Sequence, residues 1–140
     1  MFLGEYIHTI DQKRRLAIPA KFRKTLGKKA IITPGLDNCL VIYPQEEWQK
    51  MAQKLEGLPS GQENARIFTR IMLSGATDVE LDALGRILIP EHLKNYAKLE
   101  KNVAILGLSN RIELWDEDKW KAYREKMEKA VNDMAQQLGI

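Results

Sequence analysis

Asp11-Gln12-Lys13-Arg14-Arg15-Leu16-Ala17-Ile18-Pro19 returns 71 residues later as Asp82-Ala83-Leu84-Gly85-Arg86-Ile87-Leu88-Ile89-Pro90. Further on, Gly35-Leu36-Asp37-Asn38 returns as Gly107-Leu108-Ser109-Asn110, and Trp48 returns as Trp120, now with a shift of 72. A single-residue insertion thus brings two halves into register over about forty positions, the mark of one supersecondary unit used twice. Such a chain predicts a pseudo-symmetric body in which each half covers the other's apolar face. It also predicts two similar loops side by side, a form suited to a partner that is itself repetitive. The organisation read from the chain is a first half over residues 5–57, a linker with a connecting helix over 58–75, and a second half over 76–140.

Outward from the repeated passage, each half reads as hairpin, short helix, hairpin, helix. Tyr6 to Ile10 is rich in aromatic and branched residues and predicts a strand, followed by a polar turn over residues 11–14 and a strand from Arg15 to Ile18. Pro19 opens a two-turn helix that Gly27 stops. Ala30–Thr33 and Leu40–Tyr43 predict a second hairpin across Pro34-Gly35-Leu36-Asp37-Asn38, and a helix from Pro44 carries Trp48, Met51, Ala52 and Leu55 at helical spacing. Leu58-Pro59-Ser60-Gly61 breaks the chain before a connecting helix with Ile67, Phe68, Ile71 and Met72 on one face. The second half repeats the strands at Val79–Leu81, Arg86–Ile89, Val103–Leu106 and Arg111–Trp115. Asp116-Glu117-Asp118 then starts a long helix predicted to bury Trp120, Tyr123, Met127, Ala130, Met134 and Leu138 on one stripe. Its extra length leaves two options, docking on its own core alone or on a neighbour as well.

Bulk properties narrow the function classes. The chain has 140 residues, 44% hydrophobic and 29% charged, enough for one domain with a real core. No apolar run reaches the roughly 20 residues of a membrane span, and the first residues lack a secretory pattern, so the cytoplasm is the expected compartment. A single cysteine, Cys39, forbids an intramolecular disulfide. The net charge of +3 is ordinary, but residues 11–29 alone hold +7, whereas residues 78–140 hold −2. A basic block can be a plain solvated face. Its coincidence with the repeated loop shifts the weight toward an anionic partner.

The repeated element is D-x-x-x-R followed by an apolar triplet and a proline. An aspartate at the head of such a turn can accept backbone N–H bonds and close it. The arginine can pair with that aspartate, or project toward phosphate or a guanine edge, and the two roles are compatible. Lys13, Arg14 and Arg15 in the first loop, with Arg86 in the second, are therefore the candidate DNA-binding residues. Arg15 is the first candidate for base contact, while Lys13 and Arg14 set position on phosphates. The second loop offers one cation only, so the first should dominate.

The whole chain resembles the MraZ family, bacterial cytoplasmic proteins built from two tandem AbrB-type swapped-hairpin domains. The resemblance rests on Met1-Phe2-Leu3-Gly4-Glu5-Tyr6 with His8-Thr9-Ile10-Asp11, on both D-x-x-x-R motifs, on Leu73-Ser74-Gly75-Ala76, and on Asn110-Arg111-Ile112-Glu113-Leu114-Trp115. It implies an α+β fold in which two swapped-hairpin halves form one interleaved β-barrel with flanking helices. It implies a transcriptional regulator of the division and cell-wall gene cluster, associated with the nucleoid. Such a regulator reads short direct repeats in double-stranded promoter DNA and assembles as a closed homo-oligomeric ring. One departure stands out: the family usually has Lys-Gly-Arg in the first loop, where this chain has Lys13-Arg14-Arg15. Gly85 keeps the glycine in the second loop, which points to φ > 0 there. Arg14 must then adopt that conformation at a cost, or the first turn differs slightly.

Other classes fit less well. A scaffold whose basic loop meets an acidic protein would explain the repeat without nucleic acid, and predicts sequence-blind DNA binding. An antitoxin-like module is disfavoured by the tandem copy. An enzyme is least supported, since the chain has no glycine-rich phosphate loop, no H-E-x-x-H and no nucleophile with a base at readable spacing. No cofactor, metal or small-molecule substrate is expected. His8 reads as a hydrogen-bonded or exposed structural residue, His92 as surface, Cys39 as a small core residue, and Trp48 and Trp120 as core anchors. Asp116, Glu117 and Asp118 read as a helix start, not a metal cluster.

Overall fold

A computed structural model describes residues 1–140. Strand β1 (Phe2–Thr9) leads through the first loop to β2 (Arg15–Ala17) and helix α1 (Ala20–Leu26). A hairpin of β3 (Lys29–Pro34) and β4 (Leu40–Pro44) follows, then α2 (Gln45–Glu56) and α3 (Glu63–Gly75). The second half repeats this order as β5 (Thr77–Glu80), β6 (Arg86–Leu88), α4 (Glu91–Tyr96), β7 (Asn102–Ser109), β8 (Ile112–Asp116) and α5 (Glu117–Met127), closing on α6 (Val131–Gln137).

The halves exchange their first strands. The large antiparallel sheet has the order β1-β7-β8-β4-β3-β5, so β1 joins the second half's hairpin and β5 joins the first half's. The two hairpins meet at β4 and β8. Strands β2 and β6 form a separate two-stranded ribbon. The architecture is therefore α+β with a large antiparallel sheet, and the expected closed barrel is replaced by an open sheet with β1 and β5 at its edges. The reason lies in strand length: β2 and β6 have three residues each and pair only with one another, so they cannot close the ladder between the edges.

Alternation along the hairpins sorts the core into two layers. Leu40, Ile42, Val103, Ile105, Ile112 and Leu114 face one side, where they pack with Leu16, Ile87, Phe22 and Leu93 of the ribbon and short helices. Cys39, Val41, Tyr43, Ala104, Leu106 and Trp115 form the other, smaller cluster, with Trp48 of α2 and Trp120 of α5 packed at its rim. Both tryptophans thus anchor helices to the sheet as expected, though half-buried and not enclosed. Cys39 is a buried core residue whose thiol is pushed up to about 12, chiefly by burial and then by Glu113.

One apolar stripe has the expected helical face but lies mostly open, and another, expected to be buried, is only partly so. On α3 only Met72 is buried, while Ile67, Phe68 and Ile71 are exposed. The C-terminal helix is interrupted by a tighter turn at residues 128–130, and its stripe is half-buried near Trp120 and open by Leu138. Both patterns have helical period, but a single copy supplies nothing to cover them. Asp116 caps α5 as predicted, accepting from Lys119 N at 3.3 Å and from Glu100 N at 3.2 Å. No helix is long and apolar enough to cross a membrane.

Left-handed backbone positions recur in pairs with the repeat. Arg14 (φ 61°) matches Gly85 (φ 75°), Gly27 (81°) matches Lys98 (51°), and Asp37 (61°) matches Ser109 (66°). The conformation belongs to the fold, since only one member of two pairs is glycine, and none of the third.

Candidate nucleic-acid interface

The two loops are built alike from the backbone upward. In the first, Arg14 N donates to Asp11 O and Asp11 N to Arg15 O, each at 3.0 Å. In the second, Gly85 N donates to Asp82 O and Asp82 N to Arg86 O, each at 2.9 Å. This is a three-residue hairpin turn that ends on a left-handed residue, as G1-bulge turns do. Each aspartate then locks its own turn. Asp11 Oδ1 accepts from Lys13 N and Arg15 N, and Oδ2 from Arg15 Nε at 2.8 Å. Asp82 Oδ1 accepts from Leu84 N and Arg86 N, and Oδ2 from Arg86 Nε at 2.9 Å. The backbone N–H of the arginine, foremost among these bonds, holds each carboxyl below its ordinary value.

The structural pairing and the projecting role coexist. Arg15 and Arg86 use only Nε toward the aspartate, and no protein acceptor takes their Nη atoms. A guanidinium held by one edge is pre-oriented, with its other edge toward solvent. In the ribbon Leu16 lies opposite Ile87, and both are buried. Period-two alternation therefore sets Arg15, Ala17, Arg86 and Leu88 on the ribbon's outer face. Arg15 pairs across with Leu88 and Arg86 with Ala17, so the arginines sit two residues apart along the ribbon, roughly 7 Å. Lys13 is exposed at the first loop's tip, whereas Leu84 stands near the corresponding tip of the second.

Arg14 is placed differently from its neighbours. It takes the left-handed conformation, and its Nε crosses the ribbon to donate to Ile89 O at 3.1 Å. Backbone bonds tie the loops the same way: Ile89 N donates to Arg14 O at 2.8 Å, and Ile18 N to Gly85 O at 2.9 Å. Arg23 of α1, which the sequence marks only as part of the basic block, donates Nε to Ile18 O at 2.9 Å. A side chain at Gly85 would fall on the Arg23 guanidinium. His8 holds the ribbon from below through Nδ1 and Ala17 O at 2.6 Å, the structural part expected of it, and His92 is exposed against Gly75 O.

Comparison with known proteins reaches the same chain length. The family model described as "MraZ protein, putative antitoxin-like" matches twice, over residues 1–71 and 72–138. A protein named transcriptional regulator MraZ from Halothermothrix orenii is 50% identical, with 100% of both chains aligned. Proteins of the same name from Moorella thermoacetica and Desulforamulus reducens are 49% and 46% identical over 99% of this chain, and over 96% and 97% of their own.

Proposed function

The chain belongs to the MraZ family, and from that premise we propose that it is a DNA-binding transcriptional regulator that reads duplex DNA with its β2–β6 ribbon. The observation that carries the reading is the pair of arginines on one outer face, each fixed at Nε with its Nη edge free. A two-stranded ribbon fits the B-DNA major groove, about 12 Å wide, where arginine bonds bidentately to guanine. Arg15 and Arg86 are the base-reading candidates, and Lys13 binds phosphate. Arg14 adds charge from its half-buried place. Lys21 and Lys24 of α1, which follows the first ribbon strand, add to the positive charge of the first half.

The finer reading is that the DNA carries short direct repeats before the division and cell-wall gene cluster, and that copies assemble into a closed ring that engages successive repeats by avidity. The exposed Ile67, Phe68 and Ile71 on α3, with Val131 at the start of α6 and Leu138 just past its end, support assembly. Binding chromosomal DNA would place the protein in the cytoplasm at the nucleoid.

The test is a fluorescence-anisotropy titration of a direct-repeat promoter duplex and a scrambled duplex across a salt series. Arg15→Ala is expected to lose about 1–3 kcal/mol on the repeat duplex and little on the scrambled one. Equal binding of both duplexes by the unmodified protein would overturn the reading.

A further inference from the structure

Ile18 and Ile89 are equivalent, fully buried residues where each ribbon strand runs into its proline. A carbonyl in such a place needs a donor. Each receives a guanidinium Nε, but from a different source. Ile18 O takes Arg23, five residues on in the following helix. Ile89 O takes Arg14, from the facing loop of the other half. The repeat makes the exchange plain. The counterpart of Arg23 is Lys94, and the counterpart of Arg14 is Gly85. Where the helix supplies the guanidinium, the facing loop has a glycine whose absent side chain leaves room for it. Where the loop supplies it, the helix has a lysine, which lacks the planar fork.

We propose that Arg23 and Arg14 are interchangeable clamps, one per half, and that Arg23 is a positioning residue that holds the second loop and thereby aims Arg86. The Ile18 N–H bonds to Gly85 O while the Ile18 carbonyl holds Arg23 over Gly85, so the loop is gripped from both sides. Arg14 does the same for the first loop with one residue, through its own carbonyl and its own Nε. A guanidinium on the loop and one on the helix exclude each other, because they need one carbonyl and one space. The functional half of this inference rests on the ribbon binding DNA. The structural half does not.

The experiment is a double-mutant cycle in the full chain. Arg23→Lys keeps the charge but removes the fork, Gly85→Arg adds the loop guanidinium beside the existing one, and the double variant moves the first loop's arrangement into the second. Amide hydrogen exchange at Ile18 and Arg86 is read without DNA, and the ratio of repeat to scrambled affinity with it. Arg23→Lys is expected to speed exchange at both amides roughly tenfold and to lower discrimination about threefold, with non-specific affinity and its salt slope unchanged. Gly85→Arg is expected to lose more, and the double variant to recover to within about twofold of the parent. Simple additivity, or Arg23→Lys with exchange and discrimination unaltered, would overturn the clamp. If Gly85→Arg does not fold, Arg14→Gly with Lys94→Arg runs the same cycle without crowding. If even the parent fails to discriminate the duplexes, the DNA reading falls, while the exchange cycle still decides the clamp.

Discussion

The first loop sets Gln12-Lys13-Arg14 between its aspartate and arginine, and the second sets Ala83-Leu84-Gly85 there. No residue is shared at those three positions, yet both turns make the same backbone bonds, the same bonds from the aspartate and the same left-handed last residue. What they have in common is set by the flanking Asp and Arg and by the ribbon they emerge from. What differs is the field: the first tip is cationic, while the second presents Leu84, 64% exposed. Geometry has been kept in both copies and charge has been concentrated in one. A ribbon built this way can be placed by one loop and read by both arginines.

The strongest way to break this equivalence is to attack the shared foundation. Leu16 and Ile87 are opposed in the ribbon and almost completely buried. Leu16→Ala and Ile87→Ala are each expected to lose about 2–5 kcal/mol in urea unfolding, from lost burial plus the cavity left behind. Because the side chains touch one cluster, the double variant is expected to lose less than the sum. A loss below roughly 1 kcal/mol at either position would show that the two halves do not contribute equally to the core.

Acid tests the loops more gently. Asp11 and Asp82 are both held below the ordinary carboxylate value of 3.8, first by the arginine backbone N–H and also by its guanidinium. As pH falls, the unfolded chain therefore takes up protons first, so the stabilisation is complete above that value and is lost as pH drops through the folded one. The protection of the Arg15 and Arg86 amides, taken relative to the intrinsic exchange rate at each pH, is expected to fall in both loops over the same acid range. A separation of about one pH unit or more between them would mean that the two aspartates are not equivalent.

Much of this was legible in the chain because the repeat doubles each signal. The β3–β4 and β7–β8 hairpins, the short helices after Pro19 and Pro90, the Asp116 cap and the Asp–Arg turns could all be read from residue types at their spacing. The first hairpin expected in each half is not formed, because β1 and β5 pair with the opposite half's hairpin and β2 and β6 pair with one another. The open sheet could not, because whether edge strands β1 and β5 meet depends on strand pairing far apart in sequence. The helical period of α3 and of the C-terminal stripe was readable, but period reports only that a face is apolar, not that anything in the same copy covers it. The left-handed positions show the limit most clearly. Gly85 announces one and, through the repeat, the option that Arg14 takes at a cost, but nothing in the residue type of Lys98 marks its own left-handed conformation. Arg23 carried no local signal either: its role depends on an empty Cα 62 positions away.

Arg14→Gly gives the first loop the residue the second has at Gly85 and produces the smallest effect, because relief of strain and loss of a hydrogen bond oppose one another. An arginine in the left-handed region is strained by roughly 1–2 kcal/mol, which glycine would relieve. The substitution also removes the bond from Nε to Ile89 O, a charged donor to a carbonyl, where such bonds contribute about 1.5–3 kcal/mol. Glycine further widens the unfolded ensemble, by about 0.4–1 kcal/mol. The balance is a net loss of about 1.5 kcal/mol in urea unfolding. A gain in stability would show that strain outweighs the clamp, and that this chain keeps Arg14 for its charge at the ribbon and not for the carbonyl it holds.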